Sequence, residues 1–373
     1  MNPIVYRGDL SSADTSAYES LGLGVLTDCI SCHVVEERNG AYFLELEYPA
    51  GGTNWDRLVP GNLIKVDVSR QSTNMQLFRI DSAKPTLNRI TVSARHISYQ
   101  MDWAIVEPFT SSSSLSPAQA MAEIASHVKG AFPFSLVGWG DSTNAKRFSV
   151  KTPRTVRDCL MGKEGSITDV YGGEYMYRNM GFTIQSYPNR GTSRGVGIRY
   201  GLNMTSLEME KALAETYNAV YGYYYDEDSG TFVSPGAVQT IGIYTNVGFQ
   251  RTKLLDLTAE FDTVPTAAQL RAKALSYAQA NGLTDPQVSI KVDFVPLRQT
   301  TDYETHQIEH FSLCDTIPVV YEKYGIEVTA KIVRTDYDIL KERYRSIEVG
   351  TKRTTLPDFL KGVSRKTGVS VWT

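Results

Sequence analysis

The chain has 373 residues and a formal net charge of −3, with 42% apolar and 21% charged residues. This is the composition of an ordinary globular protein, long enough for about two to four domains and a substantial core. The charge balance argues against a broad basic surface that grips nucleic acid, although it is compatible with a local patch or with a lumen through which DNA passes.

Cysteine usage and the N-terminal sequence indicate the compartment. The four cysteines, at positions 29, 32, 159 and 314, are too few and too scattered for a disulfide framework. The N-terminus has no basic start followed by an apolar run, and no stretch of about eighteen apolar residues occurs. We therefore expect a reducing compartment, no secretory signal and no membrane anchor.

The first predicted element contains a motif that suggests chemistry. Residues 29–33 read C-x-x-C-H, the pattern of haem attachment, and Cys29 with Cys32 also has the spacing of half a zinc site or a redox dithiol. In an extended strand, residues three apart point to opposite faces, so the two thiols could not bind one ion or haem. We therefore expect the cysteines to be strand residues on opposite faces of a hairpin.

Apolar alternation on both sides of Arg38-Asn39-Gly40 predicts that hairpin. A two-residue Asn39-Gly40 loop would pair Val34 with Glu45 and mix the faces. A three-residue loop from Arg38 to Gly40, with Gly40 left-handed as a bulge, keeps one face apolar. The pairs that this register predicts are Val34–Leu44, Cys32–Leu46 and Ile30–Tyr48.

Strands continue to about residue 100 in the segments NLIKVDV, MQLFRI and RITVSARHISYQ, and they predict a first β-barrel-like domain over residues 1–110. A mixed α/β domain follows over 111–200. Its first helix begins at Ser116-Pro117, where a serine N-cap precedes a proline in the first turn. A second helix is expected from Thr152-Pro153, and a hairpin turns at Asn179 to Gly181.

The second half of the chain starts a second β-domain over 201–262, with a hairpin that turns at Asp226 to Gly230. In a helix–strand segment over 263–300, Thr266 caps the clearest helix and Gly282 ends it. The residues of this helix predicted to share one face are Leu270, Ala274, Tyr277 and Ala278. Residues 301–350 supply the remaining strands, DTIPVVY, GIEVTAKIV and RYRSIEVG, and residues 351–373 form a C-terminal tail.

These elements predict a β-rich α+β fold with two related β-barrel-like domains, an intervening mixed α/β domain and a further helix-containing domain. The relation between the two β-domains rests on a faint internal repeat, in which isoleucines at 64, 80 and 90 correspond to isoleucines at 317, 332 and 347. Any two sets of three β-strands can look alike, so the pattern by itself leaves both interpretations open. A real repeat would let three chains form a ring of six similar units.

The motif His306-Gln307-Ile308-Glu309-His310 fits the H-x-x-E-H pattern of a zinc peptidase. Such a site needs both histidines on one face of a packed helix and a further carboxylate ligand. The preceding segment RQTTDYET is polar and non-periodic, so the sequence favours a polar loop. A zinc-dependent peptidoglycan endopeptidase that uses His306 and His310 is kept as an alternative function.

Three further patterns lack the surroundings that their chemistry requires. Asp226, Asp228 and Gly230 resemble the start of a calcium loop, but position twelve would be an alanine instead of a glutamate. Cys159 has no histidine nearby to activate it. The tyrosines at 223–225 hint at a host-surface carbohydrate-binding module, although alternation along a strand would bury every other ring. We therefore predict no catalytic, cofactor-binding or metal-binding residue.

The order of six segments, which cover about Thr27 to Gly350, is specific although each one is a weak motif. They are SCHVVEERNGAYFLELEYP, SARHISYQM, RGVGIRYGLNMTSLE, LLDL leading through Pro265 into its helix, QVSIKVDFVPL and LCDTIPVVYEKYGIEVTAKIVRTDYDILKERYRSIEVG. In this order the chain resembles the N-terminal hub region of phage and prophage tail-associated proteins of Gram-positive bacteria, often labelled prophage tail endopeptidase or minor structural protein.

The resemblance implies a structural hub of a tail tip or baseplate. Such proteins form a homotrimeric ring in which two related β-barrels per chain match a sixfold tail tube to a threefold spike or fibre. The implied partners are a distal tail or tail tube protein, a tape-measure protein and the spike or fibre, with DNA only in transit. The implied location is the virion tail tip or baseplate, assembled in the host cytoplasm. Longer members continue into a peptidoglycan-cleaving domain, whereas only about twenty residues follow here, so we expect no enzyme.

The histidine motif gives the first prediction. Replacing both His306 and His310 with alanine is expected to change the free energy of unfolding by less than about 0.5 kcal/mol, because truncation in a polar loop removes little packing. Peptidoglycan and peptide cleavage by the wild type and the double variant is the measurement. Cleavage by the wild type that disappears in the double variant would favour the zinc peptidase.

Overall fold

The computed structural model describes residues 2–9, 14–68, 74–140, 142–193, 198–199, 204–212, 216–227, 229–242, 249–284, 287–294, 312–322 and 326–350. None of the helices in these ranges is long and apolar enough to cross a membrane.

The N-terminal region is built from strands, as the alternation predicts. They are β1 Ile4–Tyr6, β2 Gly24–Val25, β3 Ser31–Glu37, β4 Tyr42–Pro49, β5 Leu63–Asp67, β6 Met75–Pro85 and β7 Arg89–His96. Short 3₁₀ helices occur at Thr15–Tyr18, Trp55–Arg57 and Ile97–Trp103. Strand β7 ends at His96 and not at Gln100 as predicted, because the His96 ring accepts a hydrogen bond from the Ser98 amide (3.3 Å) and starts the 3₁₀ turn.

The β3–β4 hairpin has the predicted register. Val34 is opposite Leu44 and Cys32 is opposite Leu46. The left-handed residue of the loop is Asn39 (φ 52°), so the prediction that Gly40 takes this role is wrong. Asparagine tolerates this conformation, and its side chain gains two long-range hydrogen bonds there, to the carbonyl of Gly173 (2.8 Å) and from the amide of Tyr175 (2.9 Å).

A mixed region follows, with short strands around small helices. The strands are β8 Ile105–Val106, β9 Phe109–Thr110, β10 Val128–Lys129, β11 Ser135–Val137, β12 Ser149–Val150, β13 Arg154–Thr155, β14 Glu174–Arg178 and β15 Thr183–Tyr187; the helices are α1 Pro117–Ser126, α2 Val156–Leu160 and α3 Ile167–Val170. Ser116 is the N-cap of α1 as predicted, and its side chain and that of Gln119 form a capping box. Helix α2 begins later than predicted, since Thr155 and not Thr152 is its N-cap.

The next part of the chain forms strands of two different sheets and one helix. Its next elements are β16 Ile198–Arg199, β17 Met204–Ala212, β18 Ala219–Asp226, β19 Thr231–Val233, β20 Gln239–Thr240, β21 Thr252–Asp256, helix α4 Ala267–Ala280 and a 3₁₀ turn at Thr258–Glu260. The hairpin at Asp226 to Gly230 and the Thr266 cap of α4 are as predicted. On α4, Leu270, Ala274 and Ala278 are buried as predicted, whereas Tyr277 is 40% exposed.

The last described strands are β22 Gln287–Phe294, β23 Thr316–Tyr321, β24 Ile326–Asp338 and β25 Arg343–Gly350. Among the described residues, thirteen strands form one sheet in the order β17-β22-β25-β24-β3-β4-β7-β6-β5-β1-β2, with β23 and β16 branching from β24. Strand β24 therefore joins the N-terminal strands to the C-terminal strands. The β-rich α+β class is confirmed, and within the described ranges the strands form open sheets and no closed barrel.

The described buried residues form three hydrophobic clusters. The first lies in the N-terminal strands and the mixed region and also includes Tyr337 and Ile339. The second lies between β16 and β23–β25, and the third packs β18 and β21 against α4. The sheet is thus continuous although the apolar core is divided.

His96 sits at the centre of the first cluster in its neutral form. The ring is 1% exposed and stacks on Tyr42 at 4.2 Å between centroids. Its Nε2 lies 2.9 Å from Gln76 Oε1, and its Nδ1 lies 2.9 Å from Ser98 Oγ. Burial, together with the charge of Arg157, holds the pKa of His96 well below its usual value.

This geometry predicts an acid-sensitive fold. As the pH falls below about 6.5, the unfolded chain binds a proton at His96 that the folded chain does not, so stability declines by up to about 1.4 kcal/mol per pH unit. Denaturant unfolding between pH 7 and pH 5 should show a smaller decline for His96→Gln than for the wild type. The matched control is His127→Gln at the C-cap of α1, where the side chain is 34% exposed. An equal decline in wild type and His96→Gln would contradict the prediction.

Candidate functional site

Strand β24 is shared between two parts of the protein. Its first half pairs with β23, from Tyr321 opposite Ile326 to Thr316 opposite Lys331. Its second half pairs with β3, from Arg334 opposite Glu37 to Asp338 opposite His33. At the change of partner, the Arg38 amide donates to the Val333 carbonyl (2.9 Å). We call this region the β24 junction.

A buried carboxylate ties the mixed region to the junction. The side chain of Glu174, at the start of β14, is 5% exposed and accepts from Lys331 Nζ at 2.6 Å. Its other oxygen accepts from the Arg190 amide at 2.8 Å, and Arg38 lies 3.5 Å away. One carboxylate therefore connects groups from the β3–β4 loop, the segment after β15 and β24.

A second ion pair lies beside it. The Arg190 guanidinium donates to Glu36 Oε1 (2.8 Å) and to the Tyr175 carbonyl (2.9 Å), and the two charged side chains are 9% and 14% exposed. Glu37, on the other face of β3, pairs with Arg334 of β24 at 3.2 Å. Breaking a buried ion pair by removing one partner is strongly destabilising, because the remaining partner stays buried and charged.

The ionisation of these groups follows from their contacts. Burial opposes the charge of Glu174, but the hydrogen bonds from Lys331 and from the Arg190 amide outweigh it and lower the pKa of Glu174. Burial raises the pKa of Glu37 although Arg334 opposes the shift. The Glu36 carboxylate overcomes the burial of Arg190 and raises the pKa of that guanidinium.

A polar cleft of about 500 Å³ opens against the junction. Glu36 and Arg190 lie in its wall, together with tyrosines at 42, 177 and 344. Burial is the main cause that raises the pKa of all three phenols, so they stay protonated at neutral pH. Among the described residues, the cleft thus presents paired charges and protonated hydroxyls, which can hold neighbouring elements in place.

The structure corrects the prediction for the two N-terminal cysteines. The pKa of the Cys32 thiol is raised, chiefly by burial and next by a hydrogen bond with the nearby Cys29 thiol. Both side chains pack in the first hydrophobic cluster. The thiols are therefore neighbours, and the prediction of opposite faces is wrong. The reason is that β3 begins at Ser31, so Cys29 lies in the turn before the strand and its Sγ donates to the Ser31 carbonyl (3.3 Å).

The other motifs are scattered over the molecule. Cys159 is buried in α2, and burial raises the pKa of its thiol to about 12. Asp226 accepts from Ser229 Oγ (2.9 Å) at a hairpin tip. Asp228, His306, Glu309 and His310 lie outside the described residues. Within the described ranges, no group of three His, Cys, Asp or Glu side chains could hold a metal ion.

Comparisons with known proteins match this chain to prophage tail proteins. Residues 192–360 match the family described as prophage endopeptidase tail. The prophage tail protein gp18 of Listeria monocytogenes EGD-e is 14% identical with a TM-score of 0.63, and the match covers 98% of this chain and 99% of that one. This chain therefore has the fold of prophage tail proteins. The resemblance found in the sequence to phage tail-associated proteins is thereby confirmed.

Two further tail-protein structures have the same fold. The 43 kDa tail protein of prophage MuSo2 from Shewanella oneidensis is 12% identical with a TM-score of 0.57, over 94% of this chain and 98% of that one. The tail protein of Neisseria meningitidis MC58 is 11% identical with a TM-score of 0.57, over 96% and 98%. No curated protein matches the chain significantly.

The β24 junction yields a stability prediction. Arg190→Met should lower the free energy of unfolding by about 3–5 kcal/mol, because the Glu36 carboxylate, which is 14% exposed, would lose its cationic partner. The matched control is Arg7→Met, which removes an exposed pair with Asp9 and should cost at most about 1 kcal/mol. Urea unfolding of both variants is the measurement. The double variant Arg190→Met with Glu36→Gln should recover part of the loss; a cost for Arg190→Met similar to that of Arg7→Met would contradict this account.

Proposed function

We propose that this protein is the structural hub of a tail tip or baseplate in a phage, prophage or tail-like particle. It would adapt a sixfold tail tube to a threefold spike or fibre and line the channel between them. The observation that carries this proposal is the β24 junction: one strand belongs to the N-terminal and the C-terminal set of strands and fixes them in one chain. The tail-protein fold supports it.

In this proposal three chains form a ring. Each chain contributes two β-units, so three subunits supply six similar units, and head-to-tail contacts close the ring. The domain limits given in the sequence analysis, the superposition of segments 27–105 and 310–350, and the absence of catalysis all belong to this proposal. The partners would be the distal tail or tail tube protein, the tape-measure protein and the spike or fibre, with DNA passing through the channel.

The location also belongs to the proposal. The virion tail tip or baseplate would be the site of action, after assembly in the cytoplasm of the bacterial host. The paired charges of the β24 junction support a static role, because they rigidify the joint and supply no reactive group.

The assembly is testable by electron microscopy. Co-expression with the tail tube and distal tail proteins is expected to give a threefold particle with an axial opening wide enough for duplex DNA. Each contact between subunits should bury well over about 1,000 Å². The chain alone is the matched control, since a ring can require its tube partner, and a monomer there is compatible with the proposal.

Two results would defeat the hub proposal. One is an assembly of the co-expressed proteins whose symmetry is not threefold or which lacks an axial opening. The other is a structure in which segments 27–105 and 310–350 have unrelated folds.

A further inference from the structure

The sheet of strands β18–β21 has one covered face and one open face. Val220 and Tyr224 point toward α4 and are buried, and a Cβ placed on Gly222 would lie 3.1 Å from the Ala274 Cβ. Because side chains alternate along a strand, Tyr221, Tyr223 and Tyr225 point to the opposite side. Tyr225 is 43% exposed, whereas Tyr224 is 2% exposed.

Apolar side chains of the neighbouring strands extend this open side. Phe232 of β19 lies opposite Tyr225 and is 57% exposed, and its ring centroid is 6.3 Å from that of Tyr223. Leu254 of β21 lies opposite Tyr221 and is 63% exposed. We call these five side chains the tyrosine face. From Tyr221 to Tyr225 it extends about 13 Å along the strand.

The rings of the tyrosine face are held by their polar ends. The Tyr223 hydroxyl donates to Asp256 Oδ2 (3.1 Å), and Asp256 Oδ1 accepts from the Thr258 amide (2.9 Å). The Tyr221 hydroxyl lies 2.9 Å from Ser234 Oγ. These contacts fix the ring orientations and place hydroxyl and carboxylate oxygens beside the rings, so little side-chain entropy remains to be lost when a ligand binds.

The charges around the face select against anionic ligands. Lys253 points to the other side and over the Tyr217 ring (5.1 Å), and Lys151 is paired with Glu227. The carboxylates of Asp256 and Glu164 both act on the Tyr223 hydroxyl and help to raise its pKa after burial, which is the main cause. A polyanion would therefore meet negative charge beside the rings.

We propose that the tyrosine face binds a neutral oligosaccharide. The faces of aromatic rings are electron-rich and attract the weakly positive C–H groups of a pyranose ring. The hydroxyls of the sugar would exchange hydrogen bonds with Asp256 and Ser234. Because the row spans about 13 Å, it suits a short chain of sugars instead of a single ring.

The extent of the face favours a sugar over a protein. Only Tyr225, Phe232 and Leu254 are strongly exposed, and partly exposed side chains of this size offer on the order of 300 Å². A stable protein interface buries about 800 Å² on each partner. This binding site goes beyond the hub role and does not depend on it.

The test uses the full chain with two neutral probes, chitohexaose and cellohexaose. Saturation-transfer difference NMR and calorimetry should detect binding of at least one of them. The double variant Tyr225→Ser with Phe232→Ser should bind it at least tenfold more weakly. Both side chains are exposed, so the variant should keep the wild-type circular dichroism and melting temperature. The matched control, Leu87→Ser, changes an apolar side chain that is 97% exposed elsewhere and should bind like the wild type.

Three outcomes would overturn the proposal. The first is no saturation transfer to either sugar at millimolar concentration. The second is equal affinity in the wild type and the folded double variant, which would place binding elsewhere. The third is a change in self-association of the double variant, measured by sedimentation, without sugar binding, which would make the face a protein interface. A threefold ring in any of these cases would leave the hub proposal intact.

Discussion

The pairing of β24 with β3 is the constraint on which the rest of the structure depends. The strands are about 300 residues apart in sequence, and Thr335 Oγ1 reaches the Glu36 carbonyl at the weak limit of 3.5 Å. Bringing these strands together costs chain entropy, which the ladder offsets together with the packing of Tyr337 and Ile339 into the first core cluster. The buried pairs of Glu36 and Glu174 add little net energy if well-packed apolar residues could replace them, but they penalise every arrangement in which one partner is missing. Their contribution is therefore to specify the position of β24 as much as to stabilise it.

Local patterns predicted the elements well where neighbouring residues decide the conformation. The β3–β4 register followed from alternation, because a slip by one residue would expose the apolar face. The capped starts of α1 and α4 followed from Ser116 before Pro117 and from Thr266 before the apolar face of its helix. The prediction for the hairpin loop failed because a distant group decides. Asn39 takes the left-handed position since Gly173 and Tyr175 bind its side chain, across 134 and 136 residues, and no local signal contains that information.

The β24 junction was out of reach of the sequence for the same reason. Lys331 meets Glu174 across 157 residues, and Arg190 meets Glu36 across 154. Glu174 and Lys331, seen in their own strands, fit the solvent side of an alternating pattern, and only the pairing order shows that both sides of these strands are covered. One signal was present: Glu36-Glu37-Arg38 interrupts the hairpin with three charges, two of which face opposite sides of one strand. Both carboxylates need cationic partners, and because they face opposite sides these partners come from two further parts of the chain.

The junction and the tyrosine face represent opposite uses of polar chemistry. At the junction the charges are paired and mostly buried. A relative rotation of the N-terminal and C-terminal sets of strands would therefore leave a carboxylate or a guanidinium without its partner. A hub that matches sixfold to threefold symmetry would need this property, because six similar units stay equivalent only if the two units of each chain keep a fixed relation. At the tyrosine face the hydroxyls are tied and the rings are exposed, so binding a ligand there would require no rearrangement of the junction. The third core cluster is built separately from the first two. A ligand at the tyrosine face would therefore leave the geometry of the β24 junction unchanged.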